Sequence, residues 1–245
     1  MTRPTIASSA ARLLAEHGPL PSTELGRLLA GAGVVRARDP VRSVAQALGP
    51  DARFARLDDG RWVWLPAVLD EAVLAHRLAP EEAETETVLL EPDLAPLAPL
   101  AITGLALVAG GSLRRLPDDW RRAGGPAGWL GGTAAGTLVG FRLRNGRLEL
   151  GTLAEAGIGS RLAARRLVAA AQARLAVLEP LFEQPVTPVW RLVVETLAEL
   201  PMLLAQPVGP LGELLGAAGL EVHGGLVGRR GTDWSSWESG ADQGA

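Results

Sequence analysis

Three breaks in the first fifty residues constrain this chain more than any other feature. Gly18-Pro19, Gly31 with Gly33, and Gly49-Pro50 each close a short helical pattern, since glycine accepts the left-handed turn after a helix and proline cannot continue one. The pattern before the first break, TIASSAARLLAEH over 5–17, carries Ile6, Ala10, Leu13 and Leu14 at helical spacing. A second helix comes next, with Ser22 as its expected cap, Glu24 in its first turn, and an apolar stripe of Leu25, Leu28 and Leu29. Asp39-Pro40 opens a third, a capping carboxylate followed by proline at the first helical position, and Val41, Val44, Ala45 and Leu48 supply its buried stripe. Helices this short cannot bury much surface alone. A further element must complete the core.

The neighbouring stretch, RFARLDDGRWVWLP at residues 53–66, has the pattern for it: two strand-like runs around the turn DDG. Alternation places Trp62 and Trp64 on one face and Val63 and Leu65 on the other, so one face is expected to cover the helices and the other to stay partly exposed. Three helices and then a hairpin within about 65 residues is the layout of a winged helix-turn-helix. On that layout the third helix exposes Arg42, Ser43 and Gln46, whose side chains reach base edges and phosphates in a major groove. Arg36 and Arg38 lie just before the helix N-terminus, where backbone N–H groups also favour phosphate. Arg53, Arg56 and Arg61 flank the wing, a usual place for backbone contacts. A competing reading makes the same surface a protein-docking face, with Trp62 or Trp64 as the anchor in a partner pocket.

The segments LLAEHGPLPSTELGRLL, DPVRSVAQAL and RFARLDDGRWVWL together resemble the HARE-HTH group of winged helices, which includes the N-terminal domain of the bacterial RNA polymerase delta subunit. The resemblance covers residues 1–66, about a quarter of the chain. It implies either a DNA-linked function or docking on the transcription machinery.

Beyond the hairpin, DEAVLAHRLAP reads as a linker helix and EEAETET as a solvated acidic stretch; residues 69–100 hold eight acids against Arg77, whereas residues 1–68 hold nine Arg against six acids. The region 87–151 reads as β-rich. LVGFRLR and RLEL flank Asn145-Gly146, which supplies the two φ > 0 positions of a type I′ hairpin. There Phe141 and Leu143 alternate with Arg142 and Arg144, giving one apolar and one arginine face, the latter either solvated or a binding surface. From Ser160 the pattern is helical. SRLAARRLVAAAQARLAVLEPLF turns Leu162, Leu167 or Val168, Leu175 and Leu178 inward and leaves Arg161, Arg165, Arg166 and Arg174 outside or at its edge, and PVWRLVVETLAELPMLLA is a second helix. LGELLGAAGL at 211–220 echoes LGRLLAGAGV at 25–34, and EVHGGLVG after it reads as a short hairpin. A second helix-turn-helix-like element and chance similarity in an Ala/Leu/Gly-rich chain are both open readings of that echo.

Catalytic signatures are missing from the sequence. There is no Cys, Lys or Tyr, and all 24 basic residues are Arg, which removes thiol, amine and phenol chemistry and the lysine of a phosphate-binding loop. His17, His76 and His223 stand apart, without metal-ligand spacing. No G-x-S-x-G occurs, and Asp118-Asp119 before Trp120 reads as a helix start, not a carboxylate pair. MTRPTIASSAARLLAEHG has no apolar signal region, and no apolar run is long enough to span a bilayer, so a soluble cytoplasmic protein is expected.

The expected fold class is therefore α+β. A winged helix occupies 1–68, an acidic linker 69–86 and a small β-rich domain 87–152. A helical region over 153–232, with an HTH-like end left open, precedes a flexible tail over 233–245. The expected function is non-enzymatic binding of double-stranded DNA, as a bacterial transcription regulator or nucleoid-associated factor. The rest of the chain would dimerise or sense. The alternative is an adaptor docking on RNA polymerase or another DNA-processing protein. No cofactor, metal or membrane role is expected.

Overall fold

The computed structural model describes residues 4–154, 161–200, 207 and 209–235. The N-terminal α/β unit begins with α1 (Ile6–His17), capped by Thr5, whose side chain accepts from Ser8 N–H. Then come β1 (Leu20–Pro21), α2 (Ser22–Gly31), α3 (Pro40–Leu48), β2 (Phe54–Arg56) and β3 (Arg61–Trp64). The Asp39 cap is formed as the sequence predicts: its side chain accepts from Arg42 N–H, with Pro40 at the first turn. Ser22 is not a cap. It is the first helical residue after Pro21, and its Oγ instead accepts the Trp62 indole N–H at 2.9 Å. The three strands form an antiparallel sheet in the order β1-β3-β2. Ala10, Leu14, Leu25, Leu29, Val44, Leu48, Phe54 and Trp62 make its core.

The second face of this sheet departs from expectation. Ala55, Leu57, Val63 and Leu65 are buried in the large core of the rest of the molecule, while Phe54 and Trp62 belong to the small one. The alternation read from the sequence is correct, but both faces are apolar and both are covered. A short helix, α4 (Leu65–Val68), continues directly from β3.

Residues 69–86 differ most from their reading as a linker. They supply β4 (Val73–Arg77), which pairs antiparallel with β9 (Leu138–Arg144), and α5 (Pro80–Thr85). Val73, Leu74, Ala75 and His76 are all buried. A run buried on both sides loses the alternation that marks a half-exposed strand, and so mimics a short helix. The remaining sheet elements are β5 (Thr87–Leu89), β6 (Leu105–Leu107), β7 (Ser112–Arg115), β8 (Arg122–Gly124) and β10 (Arg147–Thr152), with a 3-10 turn (Ala95–Leu97) and α6 (Ala98–Thr103) before β6. The order is β4-β9-β10-β6-β7-β8-β5, antiparallel throughout except for β10 beside β6. Asn145 and Gly146 take φ of 50° and 71° at the β9–β10 turn, as their sequence predicts. Asp118-Asp119 lies in the β7–β8 turn and starts no helix; the Asp119 side chain accepts from Arg121 N–H at 3.0 Å.

The C-terminal region holds α7 (Arg161–Leu178), β11 (Val186–Pro188), α8 (Val189–Glu199), α9 (Leu211–Ala217), β12 (Leu220–His223) and β13 (Leu226–Arg229). Its sheet runs β11-β13-β12. Element order and strand order therefore repeat those of the N-terminal unit. The sequence echo, however, pairs α2 with α9, whereas in the repeated order α9 stands where α3 stands. Leu167 and Leu175 of α7 point inward beside Ala163 and Ala171, but Leu162 is 59% exposed, against its expected burial. The last five residues of the PVWRLVVETLAELPMLLA pattern, from Pro201, lie outside the described residues.

Candidate nucleic-acid interface

The arginines around α3 and those of the hairpin fall into two chemically different sets. Arg36, Arg38 and Arg42 surround the N-terminal end of α3, all exposed, and none makes an ion pair with any described residue. The local sequence sets this up. Asp39 is spent on capping through Arg42 N–H at 3.0 Å, which leaves the Arg42 side chain unengaged by its own turn. Gln46 is exposed one turn further on, on the same face. Ser43 is half-buried, and its hydroxyl donates back to the Asp39 carbonyl at 3.0 Å.

The hairpin arginines are occupied. Arg53 grips Asp51 with two hydrogen bonds of 2.8 and 2.7 Å and lies 5.3 Å from the Trp64 ring centre. Arg61 donates to Asp59 at 2.5 Å. Both carboxylates are held below their usual range: Asp51 chiefly by the Arg53 side chain, Asp59 chiefly by the backbone N–H of Arg61. Arg56 is exposed and reaches the Gly60 carbonyl at 3.4 Å. At the hairpin tip, Asp58 is held by Arg174 of α7 and by Arg191 of α8, the latter at 2.8 Å. Arg191 also reaches the Arg56 carbonyl at 3.5 Å. The structure thus leaves Arg36 and Arg38 before α3, and Arg42 and Gln46 on one face of it, exposed, and ties Arg53, Arg56 and Arg61 into a hairpin that is docked at its tip.

The two tryptophans divide as well. Trp62 is 6% exposed and hydrogen-bonded to Ser22. Trp64 is half-buried, its ring 4.8 Å from Phe54 between centroids. Trp62 is a core residue; only Trp64 keeps an open edge.

Sequence reading missed two charged clusters. One is the latch at the hairpin tip, to which Glu195 belongs: burial raises its carboxyl above the usual range, against the opposing pull of Arg174 and Arg191. No local signal could have found a pair 133 residues apart, as Asp58 and Arg191 are. The other centres on buried His76. Its Nε2–H donates to Glu82 at 2.9 Å and its Nδ1–H to Asp93 at 3.1 Å. Burial alone would depress this imidazole, but the two carboxylates outweigh it and push it up to about 9. Glu82 also accepts from Ala79 and Leu89 N–H, and Asp93 from Gly212 N–H. With both ring N–H groups committed inside the core, His76 is a structural cation that ties β4, α5 and α9 together. It has no lone pair to offer a substrate or metal. Among the described residues no group of His, Asp or Glu could hold a metal ion, and no helix is long and apolar enough to cross a membrane.

The arginine face of β9 stays partly exposed, but its charges are engaged within the chain. Arg142 and Arg144 both bond Glu71, which precedes β4, and Asn145 N–H donates to Asp70 at 2.6 Å. No family model, curated protein or solved structure matches the chain.

Proposed function

We propose that this chain is a non-enzymatic protein that binds double-stranded DNA through an N-terminal winged helix, in the manner of a bacterial transcription regulator or nucleoid-associated factor. The observation that carries the reading is the set of unpaired, exposed arginines Arg36, Arg38 and Arg42 around the start of the third helix, in a unit whose Arg27, Arg53 and Arg61 are bonded to acids. The helix–strand–helix–helix–strand–strand order, with the first strand beside the last, supports the winged-helix assignment. In this reading α3 enters the major groove. Arg42 and Gln46 face base edges, while Arg36 and Arg38 neutralise phosphates beside the helix terminus. The hairpin sets the pose of α3 and contributes little itself, because its tip is held by Arg174 and Arg191.

Fluorescence anisotropy of a labelled random duplex at several salt concentrations tests this. Binding should weaken steeply with salt, and Arg36/Arg38/Arg42→Ala should weaken binding and flatten the log–log slope by roughly 2, about 0.9 for each of the two phosphates no longer neutralised. Arg53/Arg61→Ala should change the slope by less than about 1. Absence of binding at low salt would overturn the reading. It would favour an adaptor docking on RNA polymerase or another DNA-processing protein, which has the open edge of Trp64 beneath Arg53 in its favour.

A further inference from the structure

We infer that the outer face of α7 is a self-association surface, on which a second copy of this chain packs with its own α7 antiparallel. This surface is remote in sequence from α3 and does not depend on the nucleic-acid reading.

Large exposed apolar side chains are concentrated here. On the helix Leu162 is 59% exposed and Val177 67%, and just after its C-terminal end Leu181 is 71% and Phe182 53% exposed; together they are half of the exposed large hydrophobics among the described residues. Between them the exposed positions of the helix are small or polar: Arg165, Arg166, Ala169, Gln172, Ala173 and Ala176. At 100° per residue Leu162, Ala169 and Ala173 fall on one line, with Arg165 and Arg166 on either side of it. Alanines on that line let a second helix approach to about 8 Å, the close end of helix packing.

The pattern is also complementary to its own reverse, the requirement for a two-fold contact. With an axis near Gln172 and Ala173, antiparallel pairing sets Ala169 of one copy against Ala176 and Val177 of the other. Leu162 then meets Leu181 and Phe182. Arg165 and Arg166, which have no ion-pair partner among the described residues, meet Glu179 and Glu183. A parallel pairing would stack arginine on arginine. The charge pattern therefore selects the occupant and its direction. Glu179 already holds Arg229 at 3.1 Å, so the added arginines would extend an existing pair. A helix of 18 residues, about 27 Å long, offers less than the roughly 800 Å² per partner of a standard interface, so a dissociation constant of about 1–10 µM is expected.

The chain has no cysteine, so a single introduced thiol is an unambiguous reporter. Ala173→Cys should form a disulfide-linked dimer rapidly under mild oxidation, because the axis places the two copies of this position side by side. Ala32→Cys, also at an exposed position, just after α2, should not. In sedimentation equilibrium the wild-type chain should pass from monomer to dimer with concentration. Arg165→Glu with Arg166→Glu should weaken the dimer by roughly tenfold or more, and adding Glu179→Arg with Glu183→Arg should restore it. A chain still monomeric at about 200 µM, well above the expected constant, overturns the inference. So does cross-linking at Ala173 no faster than at Ala32, or a dimer that the charge reversals leave unchanged.

Discussion

His76 shows how strongly one residue's surroundings decide its role. In sequence it is a lone histidine between Ala75 and Arg77; in the structure it is a cation between Glu82 and Asp93. Its ordinary value of 6.5 is raised to about 9 on folding. The folded state therefore binds the proton more tightly than the unfolded one. The resulting stabilisation is complete below about 6.5 and disappears as pH rises through about 9. At 1.36 kcal/mol per unit, the loss is on the order of 3 kcal/mol. Urea unfolding between pH 6 and pH 10 should show that fall for the wild type and a much flatter profile for His76→Gln. His76→Gln should also be less stable at pH 7 by about 3–5 kcal/mol, because it leaves two buried carboxylates without a cation. A wild-type profile that stays level from pH 6 to pH 10 would remove His76 from this role.

At the scale of elements, the β2–β3 hairpin is the informative piece. Its strands, turn and alternation are legible in RFARLDDGRWVWL, because a period of two is a local property of the backbone. Whether the second face is covered is not local. Ala55, Leu57, Val63 and Leu65 read equally well as a lightly exposed edge or as core, and only the arrival of the remaining chain makes them core. The N-terminal unit is therefore not expected to be self-sufficient. A segment of residues 1–68 should bind a hydrophobic dye and unfold at lower urea than the full chain, since it bares that face to water. Full-chain stability in the isolated segment, with no dye binding, would show that the packing of this face contributes little. Within the large core, Leu65→Ala should cost about 2–5 kcal/mol, the usual range for a fully buried leucine.

For the whole molecule, three sheets share two cores, and the hairpin belongs to both. The Asp58 latch fastens its tip to α7 and α8. Unfolding followed by tryptophan fluorescence and by far-ultraviolet circular dichroism should therefore coincide in one transition. Two separated transitions would mean that the small core opens while the large one persists. The repeated element order at the two chain ends places similar frames in different service. The N-terminal copy leaves the start of its third helix open. The C-terminal copy closes the equivalent end of α9, where Gly212 N–H donates to Asp93 and Glu213 meets Arg77.

The sequence by itself determined the short-range features: the three N-terminal helices and their Asp39 cap, the three hairpins, and the placing of arginines before and on α3. Each rests on spacing or turn chemistry within a few residues. Tertiary structure alone decided which charges are free. Arg53 and Arg61 lose theirs to acids two residues away that the hairpin folds back onto them. Arg142, Arg174 and Arg191 lose theirs to acids brought from distant segments. It also turned 73–77 from an expected linker into a sheet strand and gave α9 the topological place of α3 despite its resemblance to α2. The physical reason is the same in each case. Local propensity sets the shape of an element, whereas pairing and burial depend on partners that chain order does not reveal.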